Sequence, residues 1–433
     1  MADFAALYAR FQQASAVSTD TRQPQDGTLF FALNGPNFRG RDFAPQALAK
    51  GARFAVTDDA DLAATDPARY TYAPDPLAAL QQLALHHRRQ LIMPVLAITG
   101  SNGKTTTKEL VQVVLSRRFR VQYTKGNLNN HIGVPLTLLS IRPGAHELAI
   151  IEMGANHQGE IEELCQLAEP THGLITNIGK AHLEGFGGVE GIAKGKGELF
   201  RFLEQVGGTA FVNTLDARLP GLAAPVAERV TYPGPTDTYP ARLLGAAPAV
   251  VMELYDGQVV EAKITGGYNF ANLAAAAAVG AYFGVPAEAI ADALAAYEPS
   301  NNRSQLVRTS RNELVLDAYN ANPSSMAAAL GSFAARPGDP AAKVVILGDM
   351  FELGTESGDE HRSLGRLVQG LPFGTVILIG PELAQAAALD SSMLHFATKP
   401  EAATWLRANP LANRQVLVKG SRGMGLETLV ELL

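Results

Sequence analysis

The densest chemistry in the chain lies in VLAITGSNGKTTTKEL, residues 95–110. An apolar strand runs into Gly100; Gly103, Lys104 and Thr105 follow, and a helix opens. Glycines let backbone N–H groups converge on phosphate oxygens, and a helix N-terminus adds a favourable dipole. A lysine at this spacing reaches the β- and γ-phosphates, and the next hydroxyl suits Mg²⁺. The common pattern G-x-x-x-x-G-K-[ST] asks for glycine at position 98, where this chain has Ile98. The loop is therefore a shortened phosphate-binding variant. It predicts triphosphate binding and leaves the reaction open.

Other residues must supply the rest. The strand LAIIE ends in Glu152, and a carboxylate at the carboxyl end of a parallel strand stands where doubly wound sheets hold ligands. It could bind Mg²⁺ directly or through water, or cap a helix after MGANHQGEI together with Asn156, His157 and Glu160. His182 sits in the glycine-flanked loop after the strand LITNI, as a metal ligand or as a structural histidine. Lys194 and Lys196, in GIAKGKGELF, are expected near a helix start on a solvated face. Asn127, Asn129 and Asn130 surround Gly126; their amides suit sugar hydroxyls or peptide groups, and a plain turn would use the same residues.

The elements that must position these groups form three α/β domains. Residues 1–88 alternate short strands (28–33, 53–56) with helices (43–50 and one through His86 and His87), with a turn-rich stretch at 71–76. Residues 89–299 repeat strand, glycine loop and helix, with buried parallel strands at 95–99, 148–152 and 174–177. Residues 209–265 read as the edge of that sheet plus an antiparallel extension, and the alanine-rich helix 271–283 as packed closely on it. A loop rich in Pro, Ser and Asn, 298–305, opens a third domain, 300–433. Its strands at 313–318, 344–347, 376–379 and 416–418 alternate with helices, a doubly wound, Rossmann-like pattern.

Composition sets the outer limits. A chain of 433 residues has room for about three domains, and 47% apolar with 18% charged residues is an ordinary globular mixture. The net charge of −6 argues against a broad electrostatic grip on nucleic acid. The single Cys165 can form neither an intramolecular disulfide nor a thiolate cage, which fits a reducing compartment. The N-terminal residues lack the long apolar core of a signal peptide or anchor, and no apolar run reaches membrane-spanning length. A cytoplasmic protein without membrane insertion is expected.

Several separated motifs agree on one family. TGSNGKTT (99–106), STDTR (18–22), DGTLFFALNGPNFRGRDF (26–43), GNLNNHIGVP (126–135), IEMGANHQGEIEEL (151–164) and NIGKAHLEGFG (177–187) resemble the Mur ligases, ATP-dependent amide-forming enzymes of peptidoglycan precursor synthesis. AKGKGELF (193–200), YNFANLAAAAA (268–278), LDAYNANPSSM (316–326), LGDMFELG (347–354) and VLVKGSRGMG (416–425) continue the likeness in the family's order, and point to its dipeptide-adding branch.

The resemblance implies a division of labour. The N-terminal domain would hold the UDP end of UDP-N-acetylmuramoyl-tripeptide, with Ser18, Asp20, Thr21, Arg22, Leu33 and Asn34 in its matching segments. The central domain would hold ATP on Gly100, Ser101, Asn102, Gly103, Lys104, Thr105 and Thr106, with Asn269 and Asn272 near adenine. Thr105, Glu152 and His182 would bind Mg²⁺, joined by Lys196 if its amine is carbamylated. Lys104, Glu152, His182 and Lys196 would form the catalytic group, with Asn127, Asn129 and Asn130 on substrate. The C-terminal domain would bring Arg303, Asp317, Tyr319 and Asn320 over the nucleotide, and Asn322, Lys419, Ser421 and Arg422 toward the incoming D-alanyl-D-alanine. Many relatives have Gly-Arg where this chain has Asn302-Arg303, so the backbone there could differ.

The family's route activates the tripeptide carboxylate as an acyl phosphate, which the dipeptide amine then attacks. Closure of the third domain about a hinge near residues 298–303 would exclude water, and the chain would act as a monomer. The alternatives are a sibling ligase adding one amino acid, diaminopimelate or lysine, and a non-catalytic precursor-binding protein. Damage at Lys104, Thr105, Glu152 or His182 would favour the latter, and none is present.

Overall fold

A computed structural model describes residues 4–433. The chain folds as two compact units. The first comprises residues up to Ala97 with 119–154 and 160–173; the second comprises 98–118, 155–159 and 174–433.

The first unit opens with a parallel sheet of β1 (Val17–Ser18), β2 (Leu29–Phe31), β3 (Phe54–Thr57) and β4 (Tyr70–Tyr72), in that spatial order. Its core joins Phe30, Ala32, Ala55 and Tyr70 to Ala44 and Ala47 of helix Ala44–Ala49. β4 occupies part of the stretch expected to be turn, because Ala55–Thr57 offer it a partner edge. Helix Pro76–Arg89 starts where Asp75 accepts from the backbone N–H groups of Leu77 and Ala78, with proline at the first position. Its Arg88 is buried, and the guanidinium donates to Ala168 O (2.7 Å) and Glu169 O (2.8 Å). The carbonyls ending helix Glu160–Ala168 are thereby satisfied by a cation, which also suits the helix dipole.

A six-stranded sheet runs in the order β10-β9-β8-β5-β7-β6, from β5 (Val95–Thr99), β6 (Val121–Tyr123), β7 (Leu148–Glu152), β8 (His172–Ile175), β9 (Thr209–Asn213) and β10 (Glu228–Tyr232). β5, β7 and β9 are buried at every residue, as near-continuous apolar runs in covered parallel sheets should be. β8 begins and ends two residues earlier than its expected span, because Asn177 leaves the ladder to bond the phosphate loop. The antiparallel extension forms a sheet of its own: β11 (Arg242–Gly245), β12 (Val251–Glu253) and β13 (Val259–Glu261). Helix Phe270–Tyr282 packs on β9 and β10 and also on helix Lys104–Leu115, where a Cβ on Gly280 would meet Val114 Cγ1 at 2.4 Å. Its alanines and this glycine permit that approach.

The last sheet runs in the order β14-β15-β19-β16-β17-β18. β14 (Gln305–Arg308) is antiparallel to β15 (Glu313–Asp317), while β16 (Lys343–Gly348), β17 (Thr375–Ile379), β18 (Leu394–Phe396) and β19 (Gln415–Lys419) extend it in parallel. Its core gathers Leu314, Leu316, Ile346, Ile377 and Val418 against Leu406, Leu426 and Leu429. Asp317 and Lys419 end adjacent strands on the carboxyl edge, where doubly wound sheets bind ligands. Among the described residues no helix is long and apolar enough to cross a membrane.

Candidate functional site

In the second unit, Ile98 and Thr99 at the end of β5 lead into the phosphate loop and helix Lys104–Leu115. The loop needs its glycines. Gly100 has φ +139°, and a Cβ there would meet Thr176 Oγ1 at 2.0 Å. Gly103, the residue before the helix, has φ +80° and leaves no room for a Cβ beside Asn272 Oδ1, 2.6 Å away. Both positions fall where L side chains are strained. Lys104 Nζ donates to Gly100 O at 2.7 Å, so its ammonium lies folded over the loop it serves.

Neighbouring segments hold the loop in shape. Ser101 Oγ donates to Gly179 O (2.9 Å), Asn102 N donates to Asn177 Oδ1 (3.1 Å), and Thr176 Oγ1 donates to Asn102 O (2.6 Å). Asn272 accepts from Thr107 Oγ1 (3.1 Å) and donates to Asn269 Oδ1 (2.8 Å). Asn269 in turn donates to Thr265 O and Ser304 Oγ. Both asparagines are buried, and their amides brace the base of the phosphate-loop helix. Thr105 and Thr106 lie in the first turn, also buried.

The carboxyl edge of the last sheet meets this loop. Asn322 caps helix Pro323–Ala334 by accepting from Ser325 N (2.9 Å), and its Nδ2 donates to Asn102 Oδ1 (2.8 Å). Ser324 Oγ accepts from Lys180 N (2.8 Å), and Lys180 Nζ pairs with Glu360 at 2.5 Å. His182, at φ +55°, lies 2.5 Å from Glu352 Oε2 through its Nδ1, an ion-pair approach off the line of a good hydrogen bond. The neighbouring imidazole holds the Glu352 carboxyl below its ordinary range. Arg303 stacks 3.6 Å over the Tyr319 ring, while Arg422 lies 4.8 Å from the ring centre and donates to the phenol oxygen (2.8 Å). Two guanidinium groups thus flank one tyrosine, a ready partner for an anion. Lys419, buried, pairs with Asp317 Oδ2 at 2.6 Å and also donates to Asn320 O (3.1 Å). Ser421 is buried too, accepting from Phe351 N.

Three family models match the chain: the Mur ligase family catalytic domain over residues 13–88, the Mur ligase middle domain over 98–280, and the Mur ligase glutamate ligase domain over 302–422. The UDP-N-acetylmuramoyl-tripeptide–D-alanyl-D-alanine ligase of Escherichia coli is 36% identical, across 96% of this chain and 93% of its own length. The chain belongs to the Mur ligase family. The Bacillus subtilis ligase of the same name is 33% identical over 96% of this chain and 92% of its own. A crystal structure of MurF from Acinetobacter baumannii superposes with a TM-score of 0.86 at 31% identity, covering 98% of this chain and 97% of that one.

Further candidate residues of this Mur ligase lie in the first unit. Glu152, buried at the end of β7, accepts from Asn129 Nδ2 at 2.8 Å, and its backbone N–H donates to Thr124 Oγ1. Its carboxylate is thus aimed by an amide. Asn130 Oδ1 accepts from Gly133 N at the start of helix Gly133–Leu139, and Asn127 is exposed. Asp20 and Arg22 pair in solvent at 2.8 Å, which holds the Asp20 carboxyl below its ordinary range. Ser18 Oγ accepts from Gln25 Nε2, and Thr21 O accepts from Lys50 Nζ. Leu33 is half-buried, and Asn34 closes the loop after β2 by accepting from Gly40 N (2.8 Å) and donating to Asp58 (2.8 Å).

One expectation needs correction. Lys194 and Lys196 lie in the last turn of helix Val189–Lys196, not near its start, and only Lys194 is exposed. Lys196 is buried, its Nζ donating to Ala155 O (3.0 Å) and lying 4.9 Å from the Phe186 ring centre. Gly195 allows this, since a Cβ there would meet the same ring at 2.5 Å. The Asn302 departure is accommodated, because at φ +57° asparagine takes the left-handed conformation a glycine would supply. Glu352, Glu360 and Ser324 were not anticipated. Glu352 lies in DMFELG, Ser324 in NPSSM and Glu360 at the start of a helix, and nothing local in these segments signals contact with residues 180–182.

Proposed function

We propose that this chain joins the terminal carboxylate of UDP-N-acetylmuramoyl-tripeptide to the amine of D-alanyl-D-alanine, with ATP as the energy source. The products are UDP-N-acetylmuramoyl-pentapeptide, ADP and phosphate, and a reaction that consumes ATP belongs in the cytoplasm. The observation that carries this reading is the shortened phosphate loop with Asn322 hydrogen-bonded to its Asn102, in a chain that matches ligases of that name along nearly their whole length. In this reading residues 1–88 take the UDP end, 89–299 take ATP, and 300–433 bring the dipeptide.

A carboxylate and an ammonium at neutral pH form a salt, so the carboxylate must first be activated. Its oxygen attacks the γ-phosphorus of ATP, the bond to the β–γ bridging oxygen breaks, and ADP leaves an acyl phosphate. The loop amides of residues 101–105 and Lys104 hold the transferring phosphoryl group, and Arg303 offsets its charge from the other side. The dipeptide amine, having lost a proton, then attacks the acyl carbon. The tetrahedral intermediate collapses with loss of phosphate, forming the amide. Arg422 and Ser421 orient the dipeptide. Seating residues 300–433 over the site excludes the water that would hydrolyse the acyl phosphate.

The donor set fits Mg²⁺. In the second unit the Thr105 hydroxyl is a hard oxygen ligand of the kind this ion takes and His182 offers a nitrogen; in the first, the Glu152 carboxylate is a hard oxygen of the same kind. When bound, the ion would neutralise repulsion between the carboxylate and the phosphates. Lys196 would join these ligands only as a carbamate.

Tripeptide labelled with ¹⁸O in its terminal carboxylate tests the route. An acyl phosphate requires one labelled oxygen in the released phosphate; unlabelled phosphate alongside product would overturn this mechanism.

A further inference from the structure

Two non-glycine residues with left-handed backbones face each other across the site. His182 has φ +55° and Glu352 φ +61°, and their side chains approach to 2.5 Å. Strained conformations persist only where surroundings over-determine them, and they gather at functional sites. Both segments are tightly held. Lys180 is fixed through its backbone N–H by Ser324 and through its ammonium by Glu360. On the other flank, a Cβ on Gly354 would meet Glu184 Cβ at 3.0 Å, so the two loops touch with no space between. The pairing of residues 182 and 352 is therefore built in, and is not a chance surface contact.

Its chemistry is specific. A carboxylate oxygen 2.5 Å from a ring nitrogen repels a bare lone pair there, so even off the ideal hydrogen-bond line it favours the neutral His182 tautomer that carries its proton on Nδ1. The lone pair then lies on Nε2, the nitrogen left to bind a metal. A histidine ligand whose other nitrogen is held by a carboxylate is oriented, and its basicity rises. We propose that Glu352 is the positioning residue for His182, fixing its tautomer and ring so that Nε2 faces the metal. The proposal rests on the reading above that His182 holds Mg²⁺. It makes metal binding depend on the 300–433 segment being seated, because the carboxylate comes from there.

Mn²⁺ is the probe, its binding to the full chain with ADP followed by electron paramagnetic resonance in the wild type, E352Q, H182A and the double variant. The Glu352 side chain is 57% exposed, so its replacement leaves the core intact. E352Q is expected to weaken Mn²⁺ binding about 10-fold or more, the loss typical for removing such a partner, and to add nothing in the H182A background. In metal-free protein, ¹⁵N-imidazole spectra should show His182 protonated on Nδ1 in the wild type and a mixture of tautomers in E352Q. Unchanged or tighter Mn²⁺ binding by E352Q, with H182A weakened, overturns the proposal and leaves the metal reading standing. An equal loss from E352Q with or without His182 also overturns it, since Glu352 would then act only on structure. If H182A binds Mn²⁺ like the wild type, the metal reading of His182 fails first and the proposal falls with it.

Discussion

Asn322 does two jobs with one amide, and they can be separated. Its Oδ1 caps helix Pro323–Ala334 and its Nδ2 bridges to Asn102 in the phosphate loop. Losing an asparagine cap to alanine costs about 1 kcal/mol, and a net hydrogen bond between neutral groups is worth about 1 kcal/mol. N322A removes both and should cost about 2 kcal/mol, whereas N102A removes only the bridge and should cost about 1 kcal/mol. The double variant should then cost about 2 kcal/mol, not 3, a coupling of about 1 kcal/mol between residues in contact. Because several domains unfold, the transition to follow by urea titration is the one that Mg-ADP shifts upward. Both single variants should also raise the KM for ATP, since each breaks the bridge to the phosphate loop. Strict additivity of the two losses, or unchanged nucleotide binding in both, would refute the bridge as a working contact.

Three further outcomes are expected. K104A removes the ammonium that donates to Gly100 O and Ser101 O, and should lose about 10²- to 10³-fold in phosphate release as a lost phosphoryl-stabilising cation. G100A should cost about 1–3 kcal/mol from backbone strain alone, with a further loss from the clash on Thr176, read as a lowered midpoint of the nucleotide-sensitive transition. Burial pushes the His172 imidazole down to about 4, so the folded protein keeps it neutral while the unfolded chain protonates near pH 6.5. Its contribution is whole above about pH 6.5 and lost as pH falls toward about 4, on the order of 3 kcal/mol, and H172N should flatten that part of the stability–pH curve.

Much of this arrangement was legible because its signals are local. The glycines at 100 and 103, the lysine and the threonines announce a strand–loop–helix phosphate site, and backbone angles at both glycines explain why no other residue serves. Long buried strands such as 95–99 and 148–152 declare themselves by uninterrupted apolar runs. The two- and three-residue strands β1, β6 and β18 do not, because so short a segment has no period and exists only where a neighbour offers its edge. The burial of Lys196 is hidden in the sequence for a related reason: it is decided by Phe186 and Ala155, brought beside it by the fold. Glu352 is further still, since its partner His182 lies in another part of the chain and only tertiary structure pairs them.

The central claim is the pairing of substrates, and phosphate release with Mg-ATP measures it directly. UDP-N-acetylmuramoyl-tripeptide would be supplied with D-alanyl-D-alanine or with single amino acids, and products identified by mass. The account predicts phosphate release that depends on the dipeptide, with a UDP-muramoyl-pentapeptide as product. Release only with a dipeptide precursor and one amino acid, or none with any pair despite nucleotide binding, would contradict it.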